Sequence, residues 1–213
     1  MELLNNKKIS FFVLLLICVI FVLGCDLNKK QTFFLEECEQ MEKNHRFICY
    51  GFYSFNENDL SVCDRIDKTD KPKCYAIYAS EKNNTDYCNK LNNENEKITC
   101  YTLFASGNKD IDVCDKIKDK DQLLRCYLTY VKSVDEINIC NRLKDQENFI
   151  FCYGEYSVYK NDVKLCDNIN DPEQKAKCYG WYAYKKKDVS ACDLLNPLAK
   201  DFCLKWAEAF NKK

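Results

Sequence analysis

The chain has 213 residues, of which 32 are lysine or arginine and 33 are aspartate or glutamate, so the formal net charge is −1. A balance this close to neutral gives no reason to expect the broad basic surface with which proteins bind nucleic acid. Glycine and proline are scarce, with five and three residues, and strand-like alternation is missing, which indicates an all-α chain.

Residues 1–24 are typical of a signal peptide. Lys7 and Lys8 precede an apolar run over residues 9–23, which is short for a membrane span, and the chain turns polar at Asp26. Removal of this segment leaves 30 basic and 32 acidic residues, so the mature chain also gives no reason to expect nucleic acid as a partner.

The apolar run ends in Val22-Leu23-Gly24-Cys25. This motif resembles the lipobox of prokaryotic lipoproteins. The resemblance implies cleavage after Gly24 and a diacylglycerol on the sulfur of Cys25, the first residue of the mature chain. An uncleaved membrane anchor and an ordinary signal peptide are the alternatives, and neither leaves the chain in the cytosol.

Fourteen of the sixteen cysteines recur at alternating gaps of 11 to 12 and 14 residues. A period of 25 to 26 residues indicates one small unit present seven times, which predicts a stack of repeats over residues 38–213 after a short tether and lead-in over residues 25–37. The fourteen are Cys38, Cys49, Cys63, Cys74, Cys88, Cys100, Cys114, Cys126, Cys140, Cys152, Cys166, Cys178, Cys192 and Cys203.

An even number of regularly spaced cysteines in an exported chain predicts disulfides. Metal binding is the rival, but the chain has no Cys-x-x-Cys pair and His45 is its only histidine. Pairing the two cysteines of each unit gives seven bridges, whereas pairing across units leaves Cys38 and Cys203 as free thiols. Pairing within units is therefore favoured, although sequence alone does not fix the connectivity.

Each unit is predicted to hold two helices. The second cysteine and the positions one, four and five residues after it, mostly aromatic or small, share one side of an α-helix and form a buried stripe. The shorter helix begins at an acidic N-cap such as Asp59 or Asp188. Pro72, Pro172 and Pro197 lie near the start of the longer helix, where proline is tolerated.

These patterns together predict a disulfide-stapled α-solenoid of seven two-helix repeats. Its terminal units are atypical, because Leu204 replaces the tyrosine that follows the second cysteine and Glu39-Gln40-Met41 follows the first cysteine of the first unit. Atypical terminal units are expected where a stack must be capped. The chain resembles cysteine-stapled α-solenoids of the Sel1-like type in general architecture only, and the resemblance implies no functional residue.

Catalysis has little support, and we expect neither an enzyme nor a cofactor. His45 has no marked partner carboxylate, and glycine-rich phosphate loops are absent from the sequence. Aspartate or asparagine follows the first cysteine in six units, but calcium needs several oxygens in one loop, so local hydrogen bonding is favoured and no metal is predicted. These residues are Asp64, Asn89, Asp115, Asn141, Asp167 and Asp193.

The third position after each second cysteine suggests a partner face. Five of its seven residues are large and apolar, while Thr129 and Glu155 interrupt the row. The five are Phe52, Ile77, Leu103, Trp181 and Trp206. The alternative is that neighbouring units bury this flank of the helix, as a solenoid can do on both sides.

The sequence therefore predicts a helical-repeat protein anchored by lipid on the outer side of a prokaryotic cell membrane. Its extended surface suits a binding or scaffold module for a protein, a peptide or an envelope polymer. One alternative is an envelope protein whose thiols undergo redox cycling or hold soft metals. A second is a hydrolase whose site the sequence does not reveal.

Overall fold

The computed structural model of the chain describes residues 35–211. The predicted signal peptide, the lipidation site Cys25 and all but the last three residues of the predicted tether lie outside the described residues. Within residues 35–211 the chain forms helices joined by short connections and contains no strand. The prediction of an all-α repeat protein is confirmed.

Each of the seven units consists of a short helix followed by a long α-helix. The short helix of the first unit is α1, Leu35–Gln40, so this unit begins three residues before its first cysteine. The long helices are α2 Arg46–Glu57, α3 Lys71–Glu81, α4 Glu94–Asn108, α5 Lys120–Val134, α6 Gln146–Lys160, α7 Pro172–Lys186 and α8 Pro197–Asn211. Each long helix packs against the next, which gives the stack.

In units two to seven the short helix is of the 3₁₀ type. These helices are η1 Leu60–Arg65, η2 Thr85–Lys90, η3 Ile111–Lys116, η4 Ile137–Arg142, η5 Val163–Asn168 and η6 Val189–Leu194. At six residues each they exceed the usual 3₁₀ run of three to four residues. Because every one carries the first cysteine of its unit, the bridge holds it against the long helix.

Side-chain caps fix where the helices begin. The carboxylate of Asp59 accepts a hydrogen bond from the backbone N–H of Ser61 at 3.0 Å, and Asp188 accepts one from Ser190 at the same distance. Asp110 and Asp162 cap η3 and η5 in the same way. The predicted acidic N-caps are thus confirmed, and they satisfy N–H groups that have no partner within the helix.

Left-handed residues turn the chain from each long helix into the next short one. Six non-glycine residues have φ between 47° and 60°. They are Asn58, Asn83, Lys109, Asp135, Asn161 and Lys187. The N–H of the following residue donates back across the helix end, for example from Asp110 to the carbonyl of Ala105 at 3.0 Å, which is the Schellman pattern.

Seven disulfides join the two cysteines of each unit, from Cys38–Cys49 to Cys192–Cys203, with Cα–Cα distances of 5.4 to 5.8 Å. Each bridged cysteine is at most 2% exposed. The pairing within units is confirmed, and the pairing across units is excluded. A loop of this length is stabilised by about 3 kcal/mol per bridge in the chain-entropy model.

The core is a strip that runs along the stack beside the bridges. Tyr127, Tyr153 and Tyr179, which follow the second cysteines, are at most 2% exposed. Small residues such as Ala105 and Ala183 lie beneath the neighbouring helices and are also fully buried. The predicted stripe of cysteine, aromatic and small residues therefore forms the core.

The last unit ends the stack but leaves apolar side chains in contact with solvent. Leu194 is 60% exposed and Leu198 is 72% exposed. Leu195 is half-buried, whereas its equivalents Leu91 and Ile169 in earlier units are buried.

Seven disulfides are typical of proteins from an oxidising, extracytoplasmic compartment. Over residues 35–211 no helix combines the length and the apolar character needed to span a bilayer.

Candidate functional site

In units two to six the polar residue after the first cysteine hydrogen-bonds to the tyrosine stripe. The tyrosine after the second cysteine donates its hydroxyl to this acid or amide of the same unit. Tyr127 donates to Asp115 at 2.7 Å, and Tyr153 donates to Asn141 at 2.9 Å. The same pair forms in units two, three and six. Five of the six positions thus form a hydrogen bond within their own unit, but its partner is a tyrosine of the long helix and not a group near the end of the short helix.

The last unit lacks this hydrogen bond but keeps an ion pair that is also present in unit two. Leu204 has no hydroxyl, and Asp193 pairs with Lys200, whose Nζ lies 2.6 Å from Oδ1, as Asp64 pairs with Lys71 at 2.7 Å. The carboxylate keeps a partner, so its presence in the repeat needs no bound cation. Within residues 35–211 no group of three or more histidine, cysteine or acidic side chains is placed to bind a metal ion.

Burial raises the pKa of the stripe tyrosines. The pKa of Tyr179 rises to about 12, first because it is buried and then because the charge of Asp167 opposes ionisation. Burial raises the pKa of Tyr127 further, with Asp115 adding to the effect. These hydroxyls therefore stay neutral and donate at any physiological pH.

A second row of tyrosines ties neighbouring units together. Tyr130 donates its hydroxyl to the backbone carbonyl of Lys109, the left-handed residue of the preceding unit, at 2.9 Å. Tyr156 donates to Asp135, which has the same place one unit later. The hydroxyls thus hold the turns on which the spacing of the units depends.

His45 lies on the surface of the first unit. Its side chain is 58% exposed, and its Nδ1 lies 3.8 Å from a carboxylate oxygen of Glu42. Histidine next to a solvated glutamate at this distance gives no catalytic arrangement.

The possible partner face lies at the seams between units. Leu103 is 38% exposed, while Phe52, Ile77, Trp181 and Trp206 are half-buried. The flank is therefore partly used for packing between units, as the alternative interpretation expects. Contact of the remaining surface with a partner stays a prediction.

At three seams, a glycine of one unit contacts the residue at the third position after the second cysteine of the next unit. The three pairs are Gly51 with Ile77, Gly154 with Trp181, and Gly180 with Trp206. A Cβ atom added at Gly154 would lie 2.6 Å from Cδ1 of Trp181, so only glycine allows so close an approach. These contacts set the seams of units one to two, five to six and six to seven.

Five aromatic rings close the flank over units five to seven. We call this set the aromatic cluster: Phe151, Trp181, Tyr184, Trp206 and Phe210. The ring of Phe210 packs against the other four with centroid distances of 4.9 to 6.2 Å. The indole N–H of Trp181 donates to Glu155 at 3.1 Å, and the Nζ of Lys185 lies 4.8 Å from the centroid of the Trp181 ring. The cluster is thus filled by the chain itself.

An open groove occupies the equivalent place over units one to three. It measures about 360 Å³, which is at the lower end of the range of about 300–1,000 Å³ seen for ligand pockets. Its walls are mainly apolar: Phe47, Phe52, Ala76, Ile77 and Leu103. Gly107 and Asn108, in the last turn of α4, form one end of it.

Position in the repeat explains why one place is filled and the other is open. Counted from the second cysteine, Trp181, Tyr184, Trp206 and Phe210 of the cluster correspond to Ile77, Ser80, Leu103 and Gly107 of the groove. Each residue of the groove is smaller than its counterpart. The backbone plan is shared, so the missing side-chain volume becomes the groove.

Asn108 adds a polar group to this apolar surface. Its side-chain Nδ2 is buried and has no hydrogen-bond partner among the described residues. A buried donor without a partner costs about 1–3 kcal/mol. Nε1 of Trp206 in the aromatic cluster is likewise buried without a partner among the described residues, so this feature does not distinguish the groove from the cluster.

A larger recess of about 560 Å³ lies between units four and five, but two of its three cationic side chains are paired with carboxylates. Arg142 lies 2.5 Å from Asp112 and 3.0 Å from Asp115. Lys120 lies 2.7 Å from Asp145. A ligand would have to displace these carboxylates, so this recess is a weaker candidate than the groove.

Sequence reasoning found the flank but not the difference between its two ends. Glycine at the second position after a cysteine, with a large residue at the third position one unit later, marks close seams at both ends, so this pattern does not separate the groove from the cluster. Comparisons with protein-family models, with curated proteins and with solved structures found no match to this chain.

Proposed function

We propose that this protein is a lipid-anchored binding or scaffold module on the outer side of a prokaryotic cell membrane. The observation that carries the proposal is an open, mainly apolar groove on a covalently braced stack. A rigid frame that keeps such a groove open favours binding, because little conformational entropy is lost when a partner docks.

The anchor is supported by the motif that ends at Cys25. The test is the intact mass of the full-length gene product, expressed in a bacterium that processes lipoproteins and extracted in detergent. We expect the mass of residues 25–213, less fourteen hydrogens for seven bridges, plus one diacylglycerol on sulfur. The variant Cys25→Ser is the control and should lack the lipid. A wild-type mass without lipid would reject the anchor.

Binding is tested by co-purification from envelope extracts. The oxidised protein should retain a defined set of envelope proteins that the same protein, reduced and alkylated in denaturant, does not retain. The reduced form is the matched control because it has the same composition but has lost its bridges. If the oxidised protein retains nothing beyond this control, the binding role fails.

A further inference from the structure

The aromatic cluster shows which groups fit the groove. Phe210 lies at the seventh position after its cysteine and contacts four rings there, mostly edge to face. Gly107 has the same position in unit three and contributes no side chain. The chain therefore contains its own example of a phenylalanine ring in the place that the groove leaves empty.

The space at Gly107 is accessible without moving the backbone. A Cβ atom added there would meet only the Oγ of Ser80, at 3.8 Å, which is an ordinary contact. At Gly51, by contrast, an added Cβ would lie 2.7 Å from the Cβ of Ile77. Gly51 is thus required for packing between units, whereas Gly107 leaves room for a ring.

The groove is better suited to a protein segment than to a lipid surface. Ile77 and Phe52 are half-buried and do not protrude, so they could insert little apolar surface into a bilayer. The groove can instead accommodate a side chain that protrudes from a partner. Its rim has no excess of positive charge, since Lys73 is paired with Asp70 at 2.8 Å and Glu81 is exposed.

We propose that this groove binds a helical segment of a partner protein through two aromatic side chains four residues apart. That spacing is the one by which Trp206 and Phe210 reach the cluster from a single helix. One ring enters beside Gly107 and the other packs on Leu103 and Ile77. The inference rests on the proposed function and names the chemistry of its partner.

The probe is an alanine-based helical peptide with lysine and glutamate for solubility and phenylalanine at two positions four residues apart. A matched peptide has alanine at both positions. Dissociation constants for the detergent-purified lipoprotein are measured by fluorescence anisotropy. We expect the phenylalanine peptide to bind about tenfold or more tightly than its match, because two rings leave water.

Two variants fill the groove from within: Gly107→Phe and Ser80→Tyr copy the residues of the cluster. Each should weaken binding of the phenylalanine peptide about tenfold. We expect neither variant to lower the melting temperature. If one of them fails to fold, the other tests the site on its own. Ser133→Phe places the same ring at the same repeat position in unit four, outside the groove, and should leave affinity unchanged.

Other outcomes would overturn the inference. Equal binding to the wild type and to Gly107→Phe, or no preference for phenylalanine over alanine, would show that the groove is not the site. Vesicle binding that Gly107→Phe abolishes would assign the groove to lipid. Phe202 is an exposed aromatic residue of α8. Self-association, measured by sedimentation, that both Gly107→Phe and Phe202→Asp abolish would assign the groove to a second copy. If the protein is lipidated and its envelope partners bind equally well to Gly107→Phe, the proposed function stands and the groove is rejected as the binding site.

Discussion

Units one to three and units five to seven share one backbone plan. They differ in the side chains that cover the long helices around the third position after the second cysteine. In the last three units five aromatic rings pack on one another and close the flank. In the first three units smaller residues at the equivalent positions leave a groove of about 360 Å³. Bridges and caps therefore fix the frame, and a few side chains decide whether its surface is closed or open.

Alkaline pH should have the largest effect, and it should affect both regions alike. Burial raises the pKa of Tyr75 in the first region and raises that of Tyr179 in the second to about 12, from an ordinary value of 10.0. The folded state thus favours neutral tyrosine, so this stability is complete below pH 10 and is lost as the pH rises towards 12. Tyrosinate absorbance and helical circular dichroism, recorded together against pH, measure it.

Return to neutral pH without reductant is the control for that titration. Helicity should recover, because the bridges persist through unfolding. Ionisation of all tyrosines near pH 10 with unchanged helicity would contradict the assignment of the stripe to the core.

Removal of one bridge should cost about 3 kcal/mol in either region. The matched double variants are Cys88→Ala with Cys100→Ala, beside the groove, and Cys166→Ala with Cys178→Ala, beside the cluster. Both bridges close loops with a sequence separation of 12, so the two losses should agree. Urea unfolding gives the values. A loss confined to one region would mean that the frame is not uniform.

Truncation of the flank should distinguish the regions. Trp206→Ala removes a ring that packs on Gly180 and Phe210, and we expect a loss of about 2–3 kcal/mol. Leu103→Ala, at the same repeat position, removes a side chain that is 38% exposed and should cost about 1 kcal/mol or less. Equal losses in thermal unfolding would contradict the view that one flank is closed and the other open.

The smallest predicted effects differ in sign. Gly154→Ala forces a Cβ to within 2.6 Å of Trp181 and should destabilise the fold by about 1–3 kcal/mol. Gly107→Ala meets only Ser80 at 3.8 Å and should stabilise it by about 0.5–1 kcal/mol, because alanine is the better helix former. Differential scanning calorimetry of both variants reads the sign directly. A stabilising Gly154→Ala would reject the close seam.

Much of the frame could be predicted because its causes are local in sequence. Asp59 and Asp188 precede the helices that they cap, and cysteines 11 or 12 residues apart lie within reach of each other once two helices pack. The 3₁₀ form of the short helices was not predictable, since six residues show no period that separates it from an α-helix.

The groove could not be predicted because it depends on contacts between units. Leu103 and Trp206 have the same position in the repeat, and periodicity alone treats them alike. The two residues differ in what covers them. The ring of Phe210 packs on Trp206, whereas the equivalent position beside Leu103 is Gly107, which has no side chain. That difference becomes visible only when the stacking of α4 on α3, and of α8 on α7, is known.

The covalent plan is the claim on which both regions depend, and mapping of the bridged peptides tests it most directly. The protein is digested without reductant, after alkylation of any free thiol, and the linked fragments are identified by mass spectrometry. We predict seven linkages, from Cys38–Cys49 to Cys192–Cys203, each within one unit. A linkage between units, or an alkylated cysteine among the fourteen, would contradict the account.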